Sequence, residues 1–253
     1  AAGRAVDLRI GVNVIGDDTR KIVLRTAEAV SQFAPARVYE EATAGRNVYK
    51  YPMMRAMVAV DPAPVGRGLL WMDDDSYFRP SGEIPERQGD TLLGSRYSID
   101  VGRAQVEWIK SKPWYAGRPL GLGRRMGTAS ILFATGGWWM VETAFLRSVD
   151  YPFLVLRNKG GDRSLGEAIR QQGRSIDQIN FANIGINTAI ADRRESSAPT
   201  RGPATPLPSL AGEAEVARHY DFELTVRRYE GGSCKETYRL DLTTPEKAAW
   251  RPT

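Results

Sequence analysis

The sequence predicts an α/β fold with a mixed, mostly parallel central sheet flanked by helices, and three features predict it. Residues 8–15 (LRIGVNVI) are rich in β-branched side chains and close on Gly16-Asp17-Asp18-Thr19. Apolar positions Ile22, Val23, Ala27 and Val30 then recur at helical spacing. Residues 37–41 read as a second strand, so the chain opens β-α-β. Residues 68–72 (GLLWM) are a short apolar run between a glycine and three aspartates, the pattern of a strand buried on both faces. Residues 222–229 and 237–242 read as the arms of a hairpin around Gly231-Gly232.

The remaining elements follow from punctuation and period. Ala34-Pro35 stops the first helix, and residues 51–60 form another with Pro52 near its start. Residues 97–109 pass from strand into helix, 114–127 are a Gly-rich basic loop, 130–135 a strand and 142–149 a short helix. Residues 165–172 are helical and end at Gly173 as a C-terminal cap. Pro203, Pro206 and Pro208 mark residues 196–212 as a linker or an arm lying on the surface. A chain of 253 residues buries a substantial core. One domain over residues 1–195 is expected, with the arm and hairpin of 196–253 packed on it.

Composition excludes several classes. No apolar run approaches the roughly 18 residues of a membrane span. With one cysteine, Cys234, and one histidine, His219, neither an intrachain disulfide nor a Cys/His structural zinc site can form. Residues 1–6 carry neither an initiating Met nor signal-peptide features, so location is read from redox chemistry alone, and a reducing, cytoplasmic setting is expected. Cys234 reads as structural. The net charge of +5 is concentrated, because residues 96–130 hold Arg96, Arg103, Lys110, Lys112, Arg118, Arg124 and Arg125 against Asp100 and Glu107. A polyanion partner and a solvated basic surface both fit.

The densest chemical signal is Asp73-Asp74-Asp75. Ligands of open α/β sheets sit outside the carboxyl ends of strands, where these residues stand. Side chains at i and i+2 share a face, so Asp73 and Asp75 present two carboxylates together. Such a pair suits Mg²⁺ or Mn²⁺, which bridge carboxylates to diphosphate oxygens. The other reading is a solvated acidic turn.

The segment LLWMDDDSYF resembles the DxD region of GT-A glycosyltransferases, especially those similar to family 2. The resemblance implies a GT-A (Rossmann-like) domain over residues 1–195, with donor binding in about 8–80 and acceptor and catalytic functions in about 96–190. Asp73 and Asp74 then hold the nucleotide-sugar, and Asp75 ligates the metal with Asp73. Residues 160–173 (GGDRSLGEAIRQQG) resemble the family's Gly-Glu-Asp element and its following Arg-x-x-Gly helix, with Gly161 in place of the glutamate. That resemblance makes Asp162 the general base, needed because a hydroxyl is a poor nucleophile until its proton leaves. Its alternative role is the N-cap of the helix at Leu165. Gly136-Gly137-Trp138-Trp139 resembles the Gly-Gly-aromatic turn before the acceptor site, which assigns Gly137, Trp138 and Trp139 to the acceptor. Either indole also reads as core. Lys50 and Arg55 match basic positions that contact the nucleotide, though solvation is their ordinary fate. Arg124 and Arg125 can close over a diphosphate. Some GT-A enzymes recruit a C-terminal histidine to the metal, the role His219 takes unless it is merely packed or at the surface.

The expected function is therefore metal-dependent transfer of a sugar from a nucleotide-diphosphate sugar, a UDP-sugar first among the donors, to an acceptor hydroxyl. Inversion follows from the resemblance and from Asp162 as a single base. The acceptor is a glycan, a lipid-linked or small molecule, or DNA carrying modified bases, held by the basic residues of 96–125 with Trp108, Trp114 and Tyr115 between them. A metal-dependent nucleotidyltransferase is the second class, but no Gly-rich phosphate loop accompanies the first strand. A non-enzymatic sugar or nucleic-acid binding module is the third.

Overall fold

The computed structural model describes residues 6–12, 16–42, 48, 50–61, 67–73, 76–78, 92–151, 161–178, 184–186, 209–211, 214 and 223–242. In chain order these form β1 (Leu8–Val12), α1 (Asp17–Ser31), β2 (Ala36–Glu41), α2 (Lys50–Val60), β3 (Gly68–Met72) and β4 (Ser76–Phe78). Next come β5 (Leu92–Val101), α3 (Arg103–Lys110), β6 (Gly121–Leu122), β7 (Ala129–Glu142), α4 (Thr143–Ser148) and α5 (Gly161–Gln171). The last are β8 (Ile176–Gln178), β9 (Ile184–Ile186), β10 (Glu223–Glu230) and β11 (Ser233–Asp241). The chain divides into two compact units, Ala1–Ala63 with Tyr220–Thr253, and Pro64–His219. Residues 1–195 and 196–253 are each distributed over both.

The first unit is built on the expected β-α-β segment. β1 and β2 run parallel, β10 lies antiparallel to β2, and the β10–β11 hairpin turns at Gly231-Gly232. Asp17 and Asp18 in the first turn of α1 meet the positive end of its dipole. The helix lays Val23, Leu24, Ala27 and Val30 on Leu8, Ile10, Val12, Ala36, Val38 and Tyr229. Alternation turns Gly11 to the opposite face, where a Cβ would lie 2.8 Å from Met53 Cγ and 3.0 Å from Met57 Sδ. The close seat of α2 on β1 therefore needs a residue without a side chain.

Charge is paired on both faces of this sheet. On the α1 face, Arg20 donates to Glu40 from Nε at 2.7 Å and Nη2 at 2.5 Å, and the Tyr229 hydroxyl donates to the same carboxylate at 2.9 Å. On the other, Tyr39 donates to Asp61 Oδ2 at 2.9 Å and Arg37 Nη1 to Asp7 at 2.7 Å. Arg9 bridges Asp7 and the Asp61 carbonyl.

The second unit holds the sheet β3-β7-β5-β8, with β6 paired to β7, and a separate β4–β9 pair. Here the expected direction of the sheet is overturned. The mixed α/β class holds, but six of the eight described strand pairings are antiparallel, and only β1–β2 and β5–β8 are parallel. Two physical facts account for it. β3 is only half-buried, so its apolar run does not mark a central parallel strand. Gly136-Gly137-Trp138-Trp139 does not turn but continues β7 through 14 residues, with β3 and β5 entering from the opposite direction.

Helix α5 closes this unit. Its Leu165, Ala168 and Ile169 are buried, and a Cβ at Gly166 would meet the Leu132 carbonyl oxygen and lie 2.6 Å from Phe133 Cα. The helix ends at Gly173, which takes φ +75° as a C-terminal glycine does. Gln171, fully buried, acts as a peptide mimic: its Oε1 accepts from the Ala116 and Arg118 N–H groups at 3.1 Å each, and its Nε2 donates to Arg118 O at 2.8 Å. Gln172 holds Trp114 O at 2.7 Å. Segment 114–118 is thereby fastened to the helix.

Gly166→Ala should lower the unfolding free energy by about 1–3 kcal/mol, because the Leu132 carbonyl oxygen and Phe133 Cα in its way are backbone and Phe133 Cβ is bonded directly to it, so none can rotate aside. A melting midpoint equal to that of the parent chain would show that α5 sits off β7. Alkaline pH tests the first unit. Burial raises the Tyr39 pKa well above the ordinary 10.0, and the adjacent Asp61 charge pushes the same way. The unfolded chain therefore loses a phenolic proton that the native state keeps. Stability is complete below pH 10 and falls as pH rises beyond it. Urea unfolding from pH 8 to 11 should show this decline, and Tyr39→Phe should flatten it; an unchanged slope refutes the linkage.

Candidate active site

β3 delivers Asp73 to its carboxyl end, half-buried. The Asp73 N–H donates to Gly137 O at 2.8 Å, the Ser76 hydroxyl to the same oxygen at 2.6 Å, and the Ser76 N–H to Asp73 O at 2.9 Å. Two bonds to the Gly137 carbonyl thus pin Asp73 and Ser76 to the middle of β7, and the third joins them to each other. The carboxylate is fixed as well, because the Trp71 indole N–H donates to Asp73 Oδ1 at 2.6 Å. Charge-assisted bonds of this kind are short and orienting. Two sequence-derived candidates, Asp73 and Gly137, are brought together.

Asp162 occupies the first turn of α5 and is half-buried. The helix begins at Gly161, so Asp162 is its second residue and not a cap for a helix starting at Leu165. A carboxylate there is favoured by the positive end of the helix dipole. Because Gly166 seats α5 on Leu132 and Phe133, Asp162 is referenced to the same strand that holds Asp73 through Gly137.

The acceptor assignment is affected by burial. Trp138 is 3% exposed and Trp139 0%, so neither indole offers an open face for a sugar ring. Trp139 stacks on Trp71 with centroids 6.4 Å apart and meets Tyr151 edgewise at 5.9 Å. The open aromatic faces nearest in sequence to the acidic end are instead Tyr77 and Phe78 of β4, 46% and 40% exposed. They were legible as the Tyr-Phe that follows Asp-Asp-Asp-Ser, and Trp71 as the residue two before Asp73 on the same strand face.

Lys50 and Arg55 belong to the first unit and Asp73 and Asp162 to the second. Lys50 Nζ lies over the Tyr51 ring at 5.5 Å, and Arg55 is buried. Asp74, Asp75 and His219 lie outside the described residues. Among the described residues no group of three or more His, Cys, Asp or Glu is placed to hold a metal ion. Of the expected metal ligands, Asp73 is the one among the described residues, and its carboxylate is of the kind a hard cation takes.

Arg124 and Arg125, read as part of a loop, stand on a hydrogen-bonded hairpin made by β6 and the start of β7. Trp108 and Trp114, read as interleaved with the basic residues, are 1% and 4% exposed.

Comparison with known proteins assigns no family: the chain matches no protein-family model, no curated protein and no solved structure.

Proposed function

We propose that this chain is a metal-dependent, inverting glycosyltransferase of GT-A type, similar to family 2, that moves a sugar from a nucleotide-diphosphate donor to a hydroxyl. The observation that carries the reading is the fixed Asp73 carboxylate at the end of β3, tied to Gly137 of β7, the strand on which the Asp162-bearing helix is seated. A shared scaffold is what two acids with separate tasks require, since catalytic groups act only when held in register.

In this reading Asp73, with Asp74 and Asp75, binds the diphosphate end of the donor, and Asp162 takes the acceptor proton as the hydroxyl attacks the anomeric carbon. Bound Mn²⁺ or Mg²⁺ supplies charge neutralisation for the leaving diphosphate. Trp71 orients Asp73 by donating to its Oδ1. Tyr77 and Phe78 offer the apolar faces that sugar rings favour. The free, exposed thiol of Cys234 accords with a reducing, cytoplasmic setting.

Donor binding comes first. With Mn²⁺ present, one of UDP-, GDP- or dTDP-sugars at about 100 times its Kd should stabilise the chain by about 2.7 kcal/mol in thermal shift. Asp73→Asn should remove that shift while the unliganded melting point is kept. No shift with any donor sinks the enzymatic reading in favour of a binding module. Asp162→Asn then separates catalysis from binding. It should keep the donor-induced shift and slow single-turnover transfer by roughly 10²- to 10⁴-fold, the cost of a lost general base. Normal transfer by this well-folded variant removes Asp162 from the chemistry.

A further inference from the structure

Between α3 and β7 lies a tip that is apolar and basic at once. β6 pairs with the start of β7, Gly121 opposite Ser130 and Leu122 opposite Ala129. The Gly123 N–H donates to Thr128 O at 3.2 Å, and Arg125 O accepts from the Thr128 N–H at 3.1 Å and its hydroxyl at 2.7 Å. Met126 and Gly127 are the central residues of the turn so closed, and Gly127 takes φ +77°, as the third position of a type II turn requires. The Arg124 N–H is anchored to Asp100 on β5 at 2.9 Å. A Cβ at Gly123 would lie 2.7 Å from the Thr128 carbonyl, so the two arms are in backbone contact. The tip is a built object held at several points.

What it presents is unusual for a solvated hairpin. Leu122 is 96% exposed and Met126 103%, with Arg124 and Arg125 exposed between them. Arg103, Lys110 and Arg118 are exposed in the same stretch. A single bare aliphatic side chain is ordinary, but two on one fixed tip beside adjacent cations match a partner with an anionic layer over an apolar one.

We propose that the β6–β7 hairpin docks the protein on an anionic lipid surface. Leu122 and Met126 enter the acyl boundary, and Arg124 and Arg125 engage the headgroup phosphates. Nucleic acid is the competing polyanion, and burial argues against it. A single-strand site stacks bases on open aromatic faces. Trp108 and Trp114 are buried, Lys112 Nζ caps the Trp108 ring at 4.4 Å, and the exposed Tyr97 leans on Phe133 with centroids 6.3 Å apart. The side chains left bare on the tip are aliphatic, which a lipid rewards and a base stack does not. This inference stands independently of glycosyl transfer.

The test is co-sedimentation of the full chain with phosphatidylcholine vesicles, with and without phosphatidylglycerol. Binding is expected only to the anionic vesicles and should weaken as salt rises. Leu122→Ser/Met126→Ser keeps the charge and should reduce partitioning at least about tenfold. Arg124→Gln/Arg125→Gln should reduce it about fivefold per arginine. Circular dichroism should show both variants folded, since all four side chains are exposed. Anionic-vesicle binding that survives the serine pair overturns insertion. Absence of vesicle binding, or tight binding to single- or double-stranded DNA or RNA in its place, overturns the lipid assignment.

Discussion

The seat of α5 in the second unit depends on a helix approaching a strand more closely than a side chain allows. Gly166 lets α5 rest against the backbone of Leu132 and Phe133, and the consequences spread both ways along the helix. Toward its carboxyl end, Gln171 comes within reach of the Ala116 and Arg118 amides and Glu167 accepts from Arg170 and Gln171, a network in which Glu167 is fully buried and charge-paired. Toward its amino end, Asp162 is given a fixed place relative to β7. Buried polar groups are tolerated only when partnered. The Glu167–Gln171 pair meets that condition by recruiting the backbone of segment 114–118, which would otherwise need water or a secondary structure of its own.

The first unit solves the same problem with charge. Glu40 is almost completely buried, and it is held by a guanidinium from α1 and a phenol from β10. The partners also answer in their titration: the hydrogen bond to Glu40 raises the Arg20 pKa, while burial and then that bond raise the Tyr229 pKa. The pairing ties α1 and β2, consecutive in the chain, to the distant β10. β10 is thus fixed on β2 by its ladder and by a side-chain contact on the α1 face.

Much of this was legible and some was not, for identifiable reasons. Period and punctuation marked the β-α-β opening, the helix ending at Gly173 and the hairpin at Gly231-Gly232, because each depends on local residues alone. Strand direction did not show, since GLLWM looks alike in parallel and antiparallel pairings. Gly136-Gly137 looked like a turn, yet the chain continues through them as β7, at the place where the register of its pairing with β5 shifts between Gly94 and Arg96. Residues 114–127 looked slack for their glycines, whereas Gly121 and Gly123 are where two strands touch. For the candidate site, the acidic strand end was visible in sequence, while the burial of Trp138 and Trp139 was not. Aromatic character is the same in a core and in a binding face, and only packing separates them.

The fate of Trp139 changes what that residue can do for Asp73. A carboxylate at a strand end is useful only if its oxygens point one way, and a lone aspartate in a flexible turn samples several rotamers. Here the restraint is transmitted from the core. Tyr151 meets the edge of Trp139, Trp139 stacks at 23° on Trp71, and the Trp71 indole N–H reaches Asp73 Oδ1. The cross-strand pair Trp71 and Trp139 supplies apolar contact surface, and its geometry directs the Trp71 nitrogen at the acid. Trp139 touches no solvent and offers no face to a sugar, so its bearing on the site is positional. Shrinking it leaves the Trp71 ring without its stack, and the aspartate loses its bearing before it loses its charge.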